Sequence, residues 1–207
     1  MELIAIKAVV FDLGKVLVDF DYSIAARRLA ARSKVPPEKL RHFIDYSPLL
    51  FRLERGQLTT KQFYEEVCAA TGFDGSMSEF SEFFADIFVP IVPMVELQAA
   101  LRRRGMPTYV FSNTNDLAVT HIRRRFSFYN DFDGYILSYQ HGAMKPDAAL
   151  YEVVEQTCGR RGPEILYLDD RPENIAAGAA RGWRVVLQES PEKSLAAVRE
   201  LGLLNRG

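Results

Sequence analysis

Five short segments of the chain are apolar at nearly every position and lack the alternation of a strand with one solvated face. They are rich in Val, Ile, Leu, Phe and Tyr, residues that are common in β-strands. Such runs are typical of strands buried on both faces, as in a parallel sheet that is covered by helices. The predicted strands are residues 6–11, 108–111, 135–138, 165–168 and 184–187.

Helical patterns separate most of these strands. Segments 93–105 and 146–159 begin with Pro and end with Gly, and segment 171–182 has Pro as its second residue and ends with Gly. Pro suits the first turn of a helix, and Gly suits the residue after the last turn. Asn115 is a suitable N-cap for a further helix. The alternation of strand and helix predicts an α/β fold with a Rossmann-like, doubly wound parallel sheet.

The region between residues 20 and 90 has a different pattern. It contains no clear β run, but segments 23–33 and 59–72 have helical patterns. Thr59 or Thr60 is a suitable N-cap for the second of these helices. We therefore expect a small helical cap inserted after the first strand. The predicted division is residues 1–18 and 91–207 for the core domain, and residues 19–90 for the cap domain.

Composition excludes several classes of protein. The 207 residues are 48% hydrophobic, which suits one domain with an insert, and the net charge is −1. This charge does not predict binding to nucleic acid or to a membrane surface. Cys68 and Cys158 lack the spacing of a disulfide scaffold or zinc site. Because no signal peptide pattern is visible, we expect a cytoplasmic protein. We also expect the protein to be either a monomer or a homodimer.

Polar residues follow four of the predicted strands. Asp12 follows the first strand, residues 112–115 follow the second, Lys145 comes shortly after the third, and Asp169 and Asp170 follow the fourth. Ligands of open α/β sheets bind outside the carboxyl ends of the strands. Because parallel strands bring these ends to one edge, we expect the polar side chains to converge there.

Each of these residue types has a known chemical use. A carboxylate can attack phosphorus or carbon as a nucleophile. Two carboxylates and a backbone carbonyl form a hard oxygen site that suits Mg²⁺. A lysine can neutralise a phosphoryl group, and a hydroxyl with the backbone amides that follow it can hold phosphoryl oxygens.

Four segments resemble known motifs. The chain contains "VVFDLGKVL", "YVFSNTN", "KPDAALY" and "LYLDDRPENI". Their order and spacing resemble the four motifs of the haloacid dehalogenase-like hydrolase superfamily, and they run across nearly the whole chain. The insert is similar to the small helical cap of many members. The stretches "LGKVLVDFD" and "ERGQLTTKQF" are most similar to the sugar-phosphate phosphatase branch, which includes bacterial glucose-1-phosphate phosphatases.

This resemblance implies roles in catalysis and in phosphate binding. Asp12 would attack phosphorus and form an aspartyl-phosphate. Ser112 would hydrogen-bond the transferring phosphoryl group, with Asn113 nearby. Lys145 would balance the charge of Asp12 and of the phosphoryl oxygens. The implied catalytic residues are Asp12, Ser112 and Lys145, and the implied phosphate-binding residues are Ser112, Asn113 and Lys145.

The resemblance also implies a Mg²⁺ site. Its ligands would be Asp12, the backbone carbonyl of Gly14, and Asp170. Asp169 occupies a position where many members have glycine, so its role is left open. Asn174 stands where many members have another acidic residue, and it would be able to hold a metal-bound water.

Gly14 departs from the phosphatase pattern Asp-x-Asp, whose second aspartate protonates the leaving oxygen and later activates water. General acid–base assistance of this kind is worth roughly 10² to 10⁴ in rate. Three interpretations fit. The substrate has a better leaving group, such as an anomeric phosphate. Alternatively, Asp19, Asp21, a cap residue or a metal-bound water supplies the proton. In the third interpretation, the protein does not hydrolyse phosphates. We favour the first two.

The expected function is a Mg²⁺-dependent phosphatase of small phosphorylated metabolites, with sugar phosphates, including anomeric ones, as the expected substrates. A phosphotransferase would carry the same motifs. One alternative is a metal-independent 2-haloacid dehalogenase-type hydrolase, although the aromatic residue usual two positions after that nucleophile is missing and the pair 169–170 suits a metal. The other alternative is a non-catalytic binding protein, although burying Asp12, Lys145 and Asp170 without using them would be costly.

Overall fold

A computed structural model describes residues 5–204 of the chain. Its strands are β1 (Ala8–Phe11), β2 (Val18–Phe20), β3 (Phe88–Pro90), β4 (Thr108–Ser112), β5 (Gly134–Leu137), β6 (Ile165–Asp169) and β7 (Arg184–Leu187). Its α-helices are α1 (Tyr22–Ala30), α2 (Pro37–Ile44), α3 (Pro48–Glu54), α4 (Thr60–Thr71), α5 (Met77–Ala85), α6 (Val92–Arg103), α7 (Asp116–Arg125), α8 (Ser138–His141), α9 (Ala148–Cys158), α10 (Pro172–Ala180) and α11 (Pro191–Glu200). Within the described residues, each helix is too short or too polar to cross a bilayer.

The central sheet has five parallel strands in the order β5-β4-β1-β6-β7. All five correspond to strands that the apolar runs predict. Strand β1 lies in the middle and pairs with β4 on one side and β6 on the other. Strands β4 and β5 lie on one side of β1, and strands β6 and β7 lie on the other. The chain therefore extends the sheet in both directions from β1, as in a doubly wound Rossmann-like fold. The predicted fold class is therefore confirmed.

The sheet is buried on both faces, which explains why its strands are apolar throughout. Val9 and Phe11 of β1 belong to a core beneath α6, α7 and α11. Ala8 and Val10 belong to a second core on the opposite face, beneath α9 and α10. Because successive strand residues point to opposite faces, every position of β1 requires an apolar side chain.

Helices α1 to α5 form the insert and pack around an apolar cluster of their own. Its fully buried members include Leu29, Leu40, Phe63 and Phe80. Of the two threonines considered as N-caps of α4, Thr59 takes the role. Its side chain and that of Gln62 form a reciprocal capping box, which satisfies two of the unpaired amides of the helix terminus.

A short antiparallel ribbon joins the two ends of the insert, and the sequence did not predict it. Strands β2 and β3 pair through Val18 with Pro90 and Phe20 with Phe88. The expectation of no strand between residues 20 and 90 is therefore wrong at both ends. Three-residue strands are too short to show a period in the sequence, and Pro90 is atypical of a strand. The division at residues 18/19 and 90/91 stays a prediction; the ribbon crosses the first position and ends at the second.

The insert contacts the core at the end of α3. The Ser138 hydroxyl donates a hydrogen bond of 2.6 Å to the backbone carbonyl of Glu54. Arg55 forms an ion pair with Asp147 at 3.3 Å. Gly56 has φ +68°, and a Cβ there would lie 2.1 Å from a backbone oxygen of the core. Only glycine permits both this backbone conformation and this close approach.

Candidate active site

The carboxyl ends of the three central strands bring the predicted site residues together. Ser112 and Asp169 end β4 and β6, and Asp12 directly follows β1. All three side chains are buried. Lys145 reaches the same place from the loop after α8, and its side chain is 1% exposed. The convergence that parallel topology predicts is therefore present.

Lys145 is held by three oxygen atoms. Its ammonium lies 2.9 Å from Asp12 Oδ2, 2.7 Å from Asp169 Oδ2 and 2.9 Å from the carbonyl of Phe111. These acceptors match the three N–H donors of an ammonium group. Burial disfavours the charged form, but the two carboxylates outweigh burial and raise the pKa of Lys145. The side chain is therefore a fixed positive charge beside Asp12.

Asp169 orients Lys145, which answers the question that the sequence left open. Its carboxylate also accepts hydrogen bonds from the Tyr167 hydroxyl, the Asn174 amide at 3.0 and 3.2 Å, and the Arg171 backbone N–H at 2.8 Å. Burial opposes ionisation, but Lys145 and these donors lower the pKa of Asp169. Because both of its oxygens have protein donors, Asp169 is less suited than Asp170 to bind a ligand directly.

The carboxylate oxygens fit a divalent cation. Asp12, Asp169 and Asp170 each offer one oxygen, and these atoms lie within 4.8 Å of one another. Three carboxylates against one ammonium, that of Lys145, leave two formal negative charges among these four groups. Burial, together with the neighbouring carboxylates, raises the pKa of Asp12 and that of Asp170. A bound cation would remove this repulsion, and hard oxygen ligands of this kind suit Mg²⁺.

Gly14 offers a carbonyl, and a side chain at this position would require the Phe20 ring to shift. Its neighbours are fixed by hydrogen bonds from Lys15 N–H to the Val18 carbonyl and from Val18 N–H to the Leu13 carbonyl. Within residues 5–204, the Gly14 carbonyl accepts no backbone hydrogen bond, so it is available to a ligand. A Cβ at this position would lie 2.8 Å from Phe20 Cε1. The ring of Phe20 therefore occupies the space that an acidic side chain would need.

The loop after β4 has two functions. Ser112 lines the cavity that contains Asp12. The Asn113 side chain instead accepts from the Lys145 backbone N–H at 2.7 Å and donates to the Lys145 carbonyl at 3.0 Å. The Asn113 side-chain amide thus holds the Lys145 loop, and phosphate binding by Asn113, through its backbone N–H, stays a prediction. Asn115 is the N-cap of α7, as expected.

Two acids considered as replacement proton donors are engaged elsewhere. Asp19 pairs with Lys15 on the surface, and Asp21 is the N-cap of α1, accepting from the Ser23 backbone and hydroxyl at 2.8 and 2.7 Å. These hydrogen bonds lower the pKa of both carboxyls. Neither residue lines the cavity that contains Asp12.

The insert covers this cavity with a mainly apolar surface that contains one carboxyl group. The lining residues from positions 20–88 are Phe20, Tyr22, Tyr46, Leu50, Phe51, Glu54 and Phe88. Sequence reasoning left open which aromatic residues of the insert reach the site, and it missed Glu54. Burial raises the pKa of Glu54 to about 7, although Arg171 and Lys145 oppose the shift. Its only sequence signal is its place in the stretch "ERGQLTTKQF", which resembles the sugar-phosphate phosphatase branch.

Comparison with known proteins places this arrangement in a family. The sequence profile of haloacid dehalogenase-like hydrolases matches residues 6–182. The chain belongs to the haloacid dehalogenase-like hydrolase family. The match includes the end of β1, the loop after β4, Lys145 and the acidic pair after β6, so the resemblance of the four motifs is confirmed.

Two curated relatives of this hydrolase are phosphatases. A sesquiterpene phosphatase of Aspergillus oryzae is 26% identical over 85% of this chain and 86% of the relative. A D-ribitol-5-phosphate phosphatase of Bacteroides thetaiotaomicron is 26% identical over 89% of this chain and 93% of the relative. The fold is similar to that of a HAD family enzyme from Bacteroides thetaiotaomicron, whose structure contains magnesium and inorganic phosphate. The TM-score is 0.76 at 20% identity, over 88% of this chain and 94% of that chain.

Proposed function

We propose that the protein is a Mg²⁺-dependent phosphatase that hydrolyses small phosphate monoesters through an aspartyl-phosphate on Asp12. The observation that carries this proposal is the fixed contact of 2.9 Å between Asp12 and the buried ammonium of Lys145, with Asp170 beside them in a cavity. A nucleophilic carboxylate next to a positive charge and a metal site is suited to phosphoryl transfer, in which most catalysis is positioning and charge stabilisation.

In the first step, a carboxylate oxygen of Asp12 attacks phosphorus and the bond to the leaving oxygen breaks. Lys145 stabilises the charge of the phosphoryl oxygens, and the Ser112 hydroxyl and the Asn113 backbone N–H orient them. In the second step, water attacks phosphorus, phosphate is released and the Asp12 carboxylate returns. Mg²⁺ would be held by Asp12, the Gly14 carbonyl and Asp170, and it would offset negative charge as the phosphoryl group approaches.

The substrates that we propose first are sugar phosphates, including anomeric phosphates. The cavity supports a phosphate at its core end and an organic group against the rings of Tyr22, Tyr46 and Phe51 at its insert end. Aromatic rings can stack on the apolar face of a sugar, but they are equally able to contact a hydrocarbon. The names of the relatives include both kinds of substrate, a ribitol phosphate and a sesquiterpene.

One observation favours the second candidate, a 2-haloacid dehalogenase-type hydrolase. The ring of Phe20 lies at Gly14 and restores an aromatic group near the nucleophile, although the sequence has none two positions after Asp12. The charges favour the phosphatase. Haloacids are anions, and a metal-free site with Asp12, Asp169 and Asp170 around one ammonium would repel them. We therefore keep the phosphatase as the conclusion.

The test is phosphate release from glucose 1-phosphate, glucose 6-phosphate, ribitol 5-phosphate and p-nitrophenyl phosphate, with Mg²⁺ and with a chelator. We expect release that requires Mg²⁺ and that falls to background in Asp12→Asn. Glu38→Gln, which changes an exposed carboxylate of α2, is the control and should behave as wild type. Release that persists in Asp12→Asn would refute the proposed nucleophile. Halide release from 2-chloropropionate without metal, together with no phosphate release, would establish the second candidate instead.

A further inference from the structure

The proposed reaction needs a proton donor for the leaving oxygen, and position 14 does not supply one. Asp19 and Asp21 lie outside the cavity. Of the titratable groups that line it, Tyr22 is buried, and burial raises its pKa well above the ordinary value of 10.0, so it is a poor acid at neutral pH. The ammonium of Lys15 faces Asp19 and the Phe20 carbonyl.

We propose that the carboxyl group of Glu54, at the end of α3, is the acid that protonates the leaving oxygen and the base that then activates water. This inference rests on the proposed phosphatase function and deepens it. It assigns to the insert the role that an aspartate at position 14 would otherwise have.

The backbone around Glu54 is held against the loop that we expect to bind phosphate. Its carbonyl accepts the 2.6 Å hydrogen bond from Ser138, and the same hydroxyl accepts from the Thr114 backbone N–H at 2.9 Å. Thr114 is two residues after Ser112. The adjacent ion pair between Arg55 and Asp147 and the close approach at Gly56 fix the same point of the insert on the core. The backbone that carries this carboxyl is therefore positioned by the core and not by the insert alone.

The carboxyl of Glu54 is available for proton transfer. Within the described part of the chain, it forms no hydrogen bond and no ion pair with another side chain, and it lines the cavity that contains Asp12. Other acids of the insert are paired, including Asp74 and Glu79 with Arg32. The charged core groups that act on Glu54 are Arg171 and Lys145, and neither is within ion-pair distance of it. A pKa of about 7 supports the role, because a general acid works best near the operating pH.

The protons balance over the two steps. As the phosphorus–oxygen ester bond breaks, the Glu54 carboxyl gives its proton to the leaving oxygen and becomes a carboxylate. An alcohol is released, and Asp12 carries the phosphoryl group. The Glu54 carboxylate then takes a proton from the water that attacks phosphorus. Phosphate leaves, and Asp12 and Glu54 return to their starting states.

The experiment compares two leaving groups in Glu54→Gln. A sugar alkoxide needs a proton, whereas p-nitrophenolate leaves without one, so loss of the acid should affect only the first ester strongly. We expect kcat/KM to fall by about 10² to 10⁴ for the better of glucose 6-phosphate and ribitol 5-phosphate, whose leaving groups are ordinary alkoxides, and by less than about tenfold for p-nitrophenyl phosphate. For the sugar ester, kcat/KM of the wild type should fall as pH rises through about 7, and the variant should lose that fall.

Two further variants make the outcomes separable. Glu54→Asp retains a carboxyl and should recover part of the lost rate, and Glu38→Gln should not alter the ratio of the two esters. Equal losses for both esters, or no loss for either, would overturn the role of Glu54 while the phosphatase stands. A wild type that hydrolyses neither ester, or an active Asp12→Asn, would instead overturn the proposed function. Thermal melting of each variant shows that it is folded.

Discussion

The ring of Phe20 lies directly over Gly14, with Cε1 at 2.8 Å from the point where a Cβ would be. Phe20 belongs to the β2–β3 ribbon at the base of the insert and lines the cavity. The Phe20 ring therefore fills the space that is left by the absence of a side chain at position 14. An acidic residue cannot be restored at position 14 without moving the ring.

This relationship predicts the behaviour of Gly14→Asp. We expect the variant to be destabilised by about 1–3 kcal/mol, because the added atoms overpack the space beside Phe20. It should not hydrolyse sugar phosphates faster than the wild type. Gly14→Asp combined with Phe20→Ala should be more stable than the sum of the single changes predicts, as measured by denaturant unfolding in a double-mutant cycle. Additive effects would show that the ring moves freely.

Asp169→Asn tests the orientation of Lys145. The variant keeps the shape of the side chain but removes one of the two carboxylates that pair with the buried ammonium. We expect a stability loss of about 1–3 kcal/mol and a lower kcat/KM. The reason is that the positive charge of the buried Lys145 ammonium would then be paired with one carboxylate instead of two. Glu173→Gln is the control, since it removes only an exposed ion pair with Arg171. Unfolding curves and kinetics that match the control would argue against this role of Asp169.

Ser138→Ala tests the contact between insert and core. The change removes the hydrogen bond to the Glu54 carbonyl and leaves the Thr114 amide without its partner. A buried amide without a partner costs about 1–3 kcal/mol, so both stability and kcat/KM should fall. Ser81→Ala, in which only an exposed bond to the Met77 carbonyl of the same helix is lost, should change neither. Equal melting temperatures and equal kcat/KM values for the two variants would contradict this expectation.

The pKa of Glu54 predicts how stability depends on pH. The folded protein holds this proton up to about pH 7, whereas an unfolded chain loses it near the ordinary value of 4.5. Because the folded state then binds more protons, the free energy of unfolding should decrease as pH rises from about 5 to 8. Glu54→Gln should lack this contribution and exceed the wild type in stability at pH 8 by about 1–3 kcal/mol. A difference in the free energy of unfolding between the two proteins that is the same at every pH would contradict the assignment.

Most of the core fold could be predicted from the sequence because both faces of the sheet are buried. That burial produces apolar runs such as residues 165–168, which stand out from the helical patterns between them. The β2–β3 ribbon gave no such signal, since each strand has three residues and one contains Pro90. Its pairing depends on contacts between segments about seventy positions apart, which no local pattern records.

The candidate site could be predicted only as far as strand ends determine it. Asp12, Ser112 and Asp169 converge because their strands are neighbours, and parallel topology follows from the pattern. The partners of each polar group were not predictable. The Asn113 amide binds a backbone segment rather than being left for a ligand, and Asp169 holds Lys145. Glu54 was missed because its importance comes from burial in a cavity between two parts of the chain.

The hydroxyl of Ser138 has a consequence for how such a protein can diverge. The groups proposed to hold the phosphoryl group come from the sheet edge, and the groups that face the rest of the substrate come from the insert. Mutations in the insert can therefore change substrate preference while leaving the sheet edge intact. At Ser138 this independence ends, because one side chain binds Thr114 of the core and Glu54 of the insert. A relative with a redesigned insert must keep this bond or replace it.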